Sequence, residues 1–270
     1  MNGLYLYCIR ERMEGAPAIS SQGIDGKGEV FTLAYRDIEA VISPVSLAEF
    51  ASEEIQHKAQ DDLQWIKDKA LIHEGVVEEA IQKRGGGLFS LIPMRFGAVF
   101  NARAGIEAML AKDYLKIVQV LDKIRGNQEW NVKVYLSDKA LLERMIKTQN
   151  TAIQEKEKEL AAMPEGMAFF MEEELKTVVA DESAQAMTQL VETIFDRINN
   201  DAVAAVKNRI LEKELTGRRD PMVLNTACLI PATRIEAFKQ GIESIRRDIQ
   251  PQGLVIEAGG PWPSYNFCGY

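Results

Sequence analysis

A chain of 270 residues with 46% hydrophobic and 27% charged residues has a globular composition and length enough for one large domain or two ordinary ones. Its net charge of −8, with no basic, aromatic-interleaved stripe, argues against nucleic acid as a partner. Cys8, Cys228 and Cys268 stand at no metal-ligand spacing, and no run reaches the ~18 apolar residues of a membrane span.

Leu4 to Ile9 is apolar on both alternating faces, which predicts a central strand, and a Gly-rich loop from Gly15 to Gly28 follows it. Val30 to Ala34 and Glu39 to Val45 read as a hairpin joined at Arg36-Asp37. From Ala59 to Lys83, the positions Leu63, Ile66, Ala70, His73, Val77 and Ala80 recur at steps of three and four and predict an amphipathic helix, stopped by Gly85-Gly86-Gly87. Leu88 to Pro93 reads as a strand. Ile106, Leu110, Tyr114, Ile117, Leu121 and Ile124 predict a helix over 102–125.

Trp130 to Leu136 alternates as a half-buried strand. Ser137 or Asp138 then caps a helical region that carries the charged run Glu155–Glu159 and breaks at Met163-Pro164-Glu165-Gly166. Helical spacing resumes through Met187, Val191, Ile194 and Ile198, and again through Val206, Ile210 and Leu215 to a stop at Gly217. Met222 to Ile230 is read as a buried strand, with a helix left open by its length. Thr233 and Glu236 spell a capping box for the apolar stripe Ile235, Phe238, Ile242, Ile245 and Ile249, and Leu254 to Ile256 pairs back as a strand. The order of elements predicts an α+β protein with small sheets covered by helices, of ferredoxin-like type.

Candidate chemistry gives way to plainer readings. His73-Glu74 opens like a zinc-protease signature, but the second histidine must follow four residues on and that position is Val77. His73 is therefore expected to be a core histidine with one hydrogen-bond partner. The triple glycine follows a helix instead of opening one, so it reads as a C-cap, not a phosphate cradle. Gly23 to Gly28 lacks the alternating oxygen ligands of a calcium loop and reads as a flexible turn. Glu172-Glu173-Glu174 reads as a solvated helix start. No nucleophile sits in a recognisable elbow or triad sequence, and neither a catalytic site, a metal nor a cofactor is expected. Arg95, between Met94 and Phe96, either closes an internal salt bridge, the expected role, or meets a partner's carboxylate.

The C-terminal run Gly260-Pro261-Trp262-Pro263-Ser264-Tyr265-Asn266-Phe267 carries two prolines that remove amide donors and hold the backbone extended, so the tail is expected to lie across a surface and dock its rings. Trp262 either seals its own domain, the expected role, or anchors a partner. This run occurs together with Leu4-Tyr5-Leu6-Tyr7, His73-Glu74, Pro93-Met94-Arg95-Phe96-Gly97 and Glu129-Trp130-Asn131-Val132-Lys133-Val134. In that order, end to end, the set resembles the gas vesicle GvpF/GvpL family.

The resemblance implies two ferredoxin-like domains, 1–127 and 128–270, the second modified by a helical insertion over about 138–216 and ending in a tail over 259–270. It implies a non-enzymatic structural or assembly role, with the small, very apolar gas vesicle shell protein and other gas vesicle accessory proteins as partners. The expected location is the gas vesicle within the cytoplasm, without membrane insertion. Arg95, Phe96, Trp262, Tyr265 and Phe267 are the candidate partner-binding or structural residues. The rival from another class is a small-ligand regulatory protein or enzyme built on ferredoxin-like domains, which calls for a polar pocket with convergent titratable groups.

Overall fold

The computed structural model describes residues 2–12, 18–82 and 88–269. The triple glycine at 85–87, the start of the loop at Gly15 and the terminal Tyr270 lie outside them. The chain is a mixed α and β protein with two antiparallel sheets, divided into two compact units: Met1–Glu129 with Pro261–Tyr270, and Trp130–Gly260.

In the first unit β1 (Asn2–Glu11) is central, as its doubly apolar pattern predicts, and Tyr5 to Ile9 are all buried. Its partner on one side is β3 (Ile38–Ser46), which forms a hairpin with β2 (Phe31–Tyr35) across Arg36-Asp37. Arg36 takes the left-handed φ of 55° that branched and bulky residues avoid. The turn is held where it is by packing on a helix: the Arg36 guanidinium lies 4.6 Å from the Tyr114 ring centre, and the Tyr114 hydroxyl donates to Asp37 at 2.5 Å.

After α1 (Leu47–Phe50) and α2 (Ser52–Asp61), Asp62 caps α3 (Leu63–Ala80) by accepting from the Trp65 amide at 3.0 Å. The helix predicted from Ala59 is thus two helices broken at Asp62. On the other side of β1, β4 (Leu91–Pro93) pairs with Cys8–Arg10 and β5 (Val99–Phe100) with Leu4–Tyr5. The segment between them stays tied to β1 by the Met94 amide donating to Tyr7 O and the Leu6 amide donating to Ala98 O, both at 2.8 Å. That gives a strand order β2-β3-β1-β4. Then α4 (Arg103–Ile124) buries the predicted stripe of Ile106, Leu110, Ile117, Leu121 and Ile124. The Gly23–Gly28 segment is a closed turn instead of a flexible one: the Gly23 amide donates to Gly28 O, and Asp25 accepts from the Lys27 and Gly28 amides.

In the second unit, β6 (Asn127–Leu136) leads to α5 (Lys139–Gln149), α6 (Thr151–Ala161) and α7 (Glu165–Asn199). Asp138 caps α5 through the Leu141 amide, while the Ser137 hydroxyl donates to Gly253 O. Gly253 has φ 80°, and a Cβ there would run into the Asp138 carbonyl, so the position requires glycine. Helical residues begin again at Glu165, so Glu165 and Gly166 belong to α7 and not to the break. Glu172-Glu173-Glu174 falls in the third turn of α7 instead of at its start.

The helical spacing expected through Val206 and Ile210 is overturned. Ala204–Lys207 is strand β7, pairing with Leu229 to Thr226, and only Lys213–Thr216 (α8) is helical before the left-handed Gly217. Sheet pairing outweighs a spacing of four in so short a stretch, and Val203 and Val206 are β-branched. β8 (Met222–Pro231) is a strand as read. The capping box is not formed, because Thr233 lies inside a 3-10 turn at Ala232–Arg234 and α9 (Ile235–Ile249) starts without a side-chain cap. Phe238, Ile242, Ile245 and Ile249 of α9 pack on Trp130, Val132, Leu224, Ile230, Leu254 and Ile256. The last strand, β9 (Leu254–Trp262), completes the order β7-β8-β6-β9 and leads into α10 (Tyr265–Cys268).

A buried ion pair stabilises the first sheet. Arg10 donates to Glu39 at 2.7 Å and to the Ala80 carbonyl at 2.6 Å, tying β1 to β3 and to the end of α3. Breaking such a pair leaves a desolvated charge, so Glu39→Leu should destabilise by about 3–5 kcal/mol in denaturant unfolding. Replacing both partners, as Arg10→Met with Glu39→Leu, should recover most of that loss. Equal losses in the single and double variants would show that the charge pairing is not what matters here.

Candidate functional site

Tyr5 and Tyr7 belong to one aromatic core cluster on β1, with a register shift against β3 between Leu6 and Cys8. The inward stripe of α3 carries His73 into this cluster, its ring 5.7 Å from Tyr7 and 5.6 Å from Tyr5, with Glu74 beside it. The segment between β4 and β5 adds Phe96, 6.2 Å from His73, and Gly97, whose φ of 91° is open to glycine. Tyr265 of α10 enters from the C-terminal segment.

The Tyr265 hydroxyl donates to Glu74 Oε2 at 2.8 Å, so its oxygen is left to accept from His73 Nε2 at 3.4 Å. At the other end, the Tyr5 oxygen accepts from the Gly97 amide at 3.0 Å and shares a bond with His73 Nδ1 at 3.0 Å. With Glu74 ionised, these contacts are met by a neutral His73 with its proton on Nε2. Burial enforces the same state by lowering the His73 pKa to about 4 against an opposing contact with the Met94 backbone. The Tyr7 hydroxyl accepts from the Ile24 amide at 2.7 Å and shares a bond with Ser43 Oγ at 2.8 Å, and burial pushes its pKa up to about 12.

A second carboxylate holds the next residue of the segment. Glu129 accepts from the Asn266 backbone amide at 3.1 Å and from its side-chain Nδ2 at 2.6 Å. Burial raises the pKa of both Glu74 and Glu129, and the bonds from Tyr265 and Asn266 oppose that rise. Phe267 and Cys268 are buried, and burial, with Glu129 adding to it, pushes the Cys268 thiol up to about 12. Burial also raises the Cys8 thiol, so neither is poised as a nucleophile at neutral pH. Among the described residues no group of His, Cys, Asp and Glu side chains is placed to hold a metal.

Three of the five residues singled out in the sequence meet in this site. Phe96, Tyr265 and Phe267 line or fill it. Arg95 is exposed and closes no salt bridge with another described residue. Trp262 is 41% exposed. The residues missed were Tyr5, Glu74 and Glu129, together with the second bond of His73, for which one partner was expected. Each stood in a motif that carried the resemblance, Leu4-Tyr5-Leu6-Tyr7, His73-Glu74 or Glu129-Trp130, but nothing in spacing says that residues 74, 129 and 265 are neighbours.

Segments more than a hundred residues apart thus converge on one histidine, and they are the segments that carried the resemblance. A family model described as gas vesicle synthesis protein GvpL/GvpF matches residues 3–269. The chain belongs to this family. Among curated relatives, gas vesicle protein L of Streptomyces sp. (strain CB03234) is 24% identical over 268 residues, covering 98% of this chain and 92% of the relative. Gas vesicle protein L1 of Halobacterium salinarum is 24% identical, covering 99% of this chain and 90% of the relative. Gas vesicle protein F of Nostoc sp. is 25% identical over 64% of this chain and 66% of its own length. The crystal structure of GvpF from Anabaena sp. PCC7120 superposes with a TM-score of 0.70 at 19% identity, covering 100% of this chain and 97% of that one. That of GvpF from Microcystis aeruginosa gives 0.64 at 18%, covering 99% of both chains. At these identities the structures establish a shared fold.

Two outcomes follow for this GvpL/GvpF-family site. An unfolded histidine titrates near 6.5 and His73 near 4, so between those values the unfolded chain holds the extra proton and stability falls as pH drops, by about 3 kcal/mol across the window. Glu74 and Glu129, with raised folded pKa values, act in the opposite sense, favouring the folded state as pH falls through those values. Melting temperatures of His73→Gln should lose the histidine part of this slope, and an unchanged pH profile would place its source elsewhere. Tyr265→Phe should cost about 1–3 kcal/mol by leaving Glu74 and His73 Nε2 without a partner, whereas Trp262→Ala, at an exposed ring, should cost less than a core tryptophan.

Proposed function

We propose that the chain is a non-enzymatic gas vesicle structural or assembly protein that binds the small apolar shell protein and works with other gas vesicle accessory proteins at the vesicle, in the cytoplasm. Family membership over residues 3–269 supports the gas vesicle context. The observation that carries the binding role over a catalytic one is the state of the ionisable groups in the chain itself: His73, Glu74 and Glu129 are engaged with the protein's own tail. An enzyme needs such groups free to meet a substrate. Among the described residues no helix is long and apolar enough to cross a membrane, which agrees with attachment through protein contacts.

The strand orders support a finer reading of the architecture. With β5, which pairs with β1 off this path, set aside, the strands of both sheets run second, third, first, fourth in chain order, the order of a ferredoxin-like sheet. We read the second unit as that plan with its first crossover expanded into α5, α6 and α7, and the first unit as a variant whose first crossover is the segment between β1 and β2.

The role is tested by expressing the shell protein with and without this chain. A soluble complex of the two is expected, with the shell protein moving from pellet to supernatant. A shell protein equally insoluble in both cultures, and absent from low-salt pull-downs, would remove the basis of the binding role.

A further inference from the structure

The outer strand of a sheet exposes a row of backbone amides and carbonyls that pairs with any strand laid beside it, and folded chains block such edges with charge, proline, shortness or a covering element. Three of the four strands that end the two sheet orders are blocked in this way. β4 is short, ends at Pro93 and packs against α10, β7 is short and ends at Lys207, and β9 carries Glu257 and Pro261. β2 is the exception. Its five residues, Phe31–Tyr35, include no charge and no proline, and among the described residues β3 alone pairs with it. Thr32 and Ala34 are exposed on one face, and on the other Phe31 is 43% exposed beside the buried Leu33.

This open strand is its own complement. Phe31, Leu33 and Tyr35 alternate onto the face that packs on α4, where the Tyr35 ring lies 6.0 Å from that of Tyr114 and Arg36 stacks on Tyr114 at 4.6 Å. An aromatic cluster therefore stands at one end of β2 and a half-exposed phenylalanine at the other. Antiparallel pairing of two β2 strands about a two-fold axis at Leu33 sets Phe31 of each copy opposite Tyr35 of the other, on the same face, and Thr32 opposite Ala34. Each aromatic cluster then gains the ring that its own chain leaves uncovered.

We propose that β2 is a self-association edge, through which two copies of this chain join their first sheets into one continuous sheet as an antiparallel, two-fold pair. A second copy is favoured over an unrelated strand because an uncharged edge offers nothing for a charged partner to read, whereas the match of Phe31 to Tyr35 is met twice by the strand itself. One short strand pair falls below the size of a standard interface, so the dimer is weak and forms as concentration rises. Each copy carries a net charge of −8, so screening by salt strengthens the dimer.

Sedimentation equilibrium of the full chain over rising concentration tests this. Passage from monomer to dimer is expected, at lower concentration in high salt than in low. Thr32→Lys with Ala34→Lys sets like charges opposite each other twice and should weaken the dimer by roughly tenfold or more, while Ala108→Lys on the exposed face of α4 leaves it unchanged. Thr32→Glu with Ala34→Glu should weaken it likewise. An equimolar mixture of the lysine and glutamate chains should then associate again at low salt, because opposite charges face each other across the axis. Thermal unfolding of each variant verifies the fold. A chain that stays monomeric up to its solubility limit would overturn the proposal, as would a dimer that survives the lysine pair or a mixture that fails to recover it.

Discussion

Burial of His73 is the constraint on which the first unit depends. A histidine in the middle of an aromatic cluster has two ring nitrogens to satisfy, and each unmet bond costs about 1–3 kcal/mol. One is met by Tyr5 of β1 and the other by Tyr265 of the C-terminal segment. The partners must in turn be satisfied, which brings in the Gly97 amide and the Glu74 carboxylate. Strand, helix, loop and tail are thereby tied to one histidine. The sequence reading that His73 is a core residue agrees with its burial, but it undercounted the bonds.

The same arrangement explains why the tail belongs to the first unit. The chain leaves that unit after Glu129 and rejoins it at Pro261, and Glu129 itself accepts two bonds from Asn266. Its carboxylate stands at the exit and grips the return. Buried Pro263 and Phe267 supply the apolar part of the contact, while Trp262 remains partly outside it. Polar anchors make the seat specific, because an apolar contact alone would tolerate a shift of register that the paired carboxylates do not.

The second unit divides its apolar residues between two cores with different duties. One, under α9, closes the sheet with a stripe that includes Phe238 edge-on to Trp130 at 5.8 Å. The other, around Leu142, Ile146, Ile153, Leu175 and Val179, holds α5, α6 and the first half of α7 together. It leaves Phe169 and Phe170 exposed.

By itself the sequence determined what local physics determines. The stripe of α9, the doubly apolar β1 and the stripe of α4 each follow from a long periodic pattern that only one kind of element can bury. The hairpin at Arg36-Asp37 and the cap at Asp138 follow from short-range chemistry, and the end-to-end order of motifs was enough to indicate the family. Tertiary structure decided the rest. Val206 is a strand residue because β8 was there to pair with it, and Thr233 fails as a cap because the chain enters α9 through a 3-10 turn. The site was visible only as pieces. Residues 5, 74, 97, 129 and 265 stood in separate motifs with no sign that they meet, since hydrogen bonding between distant segments leaves no period in the sequence and exists only once the fold has brought the donors and acceptors together.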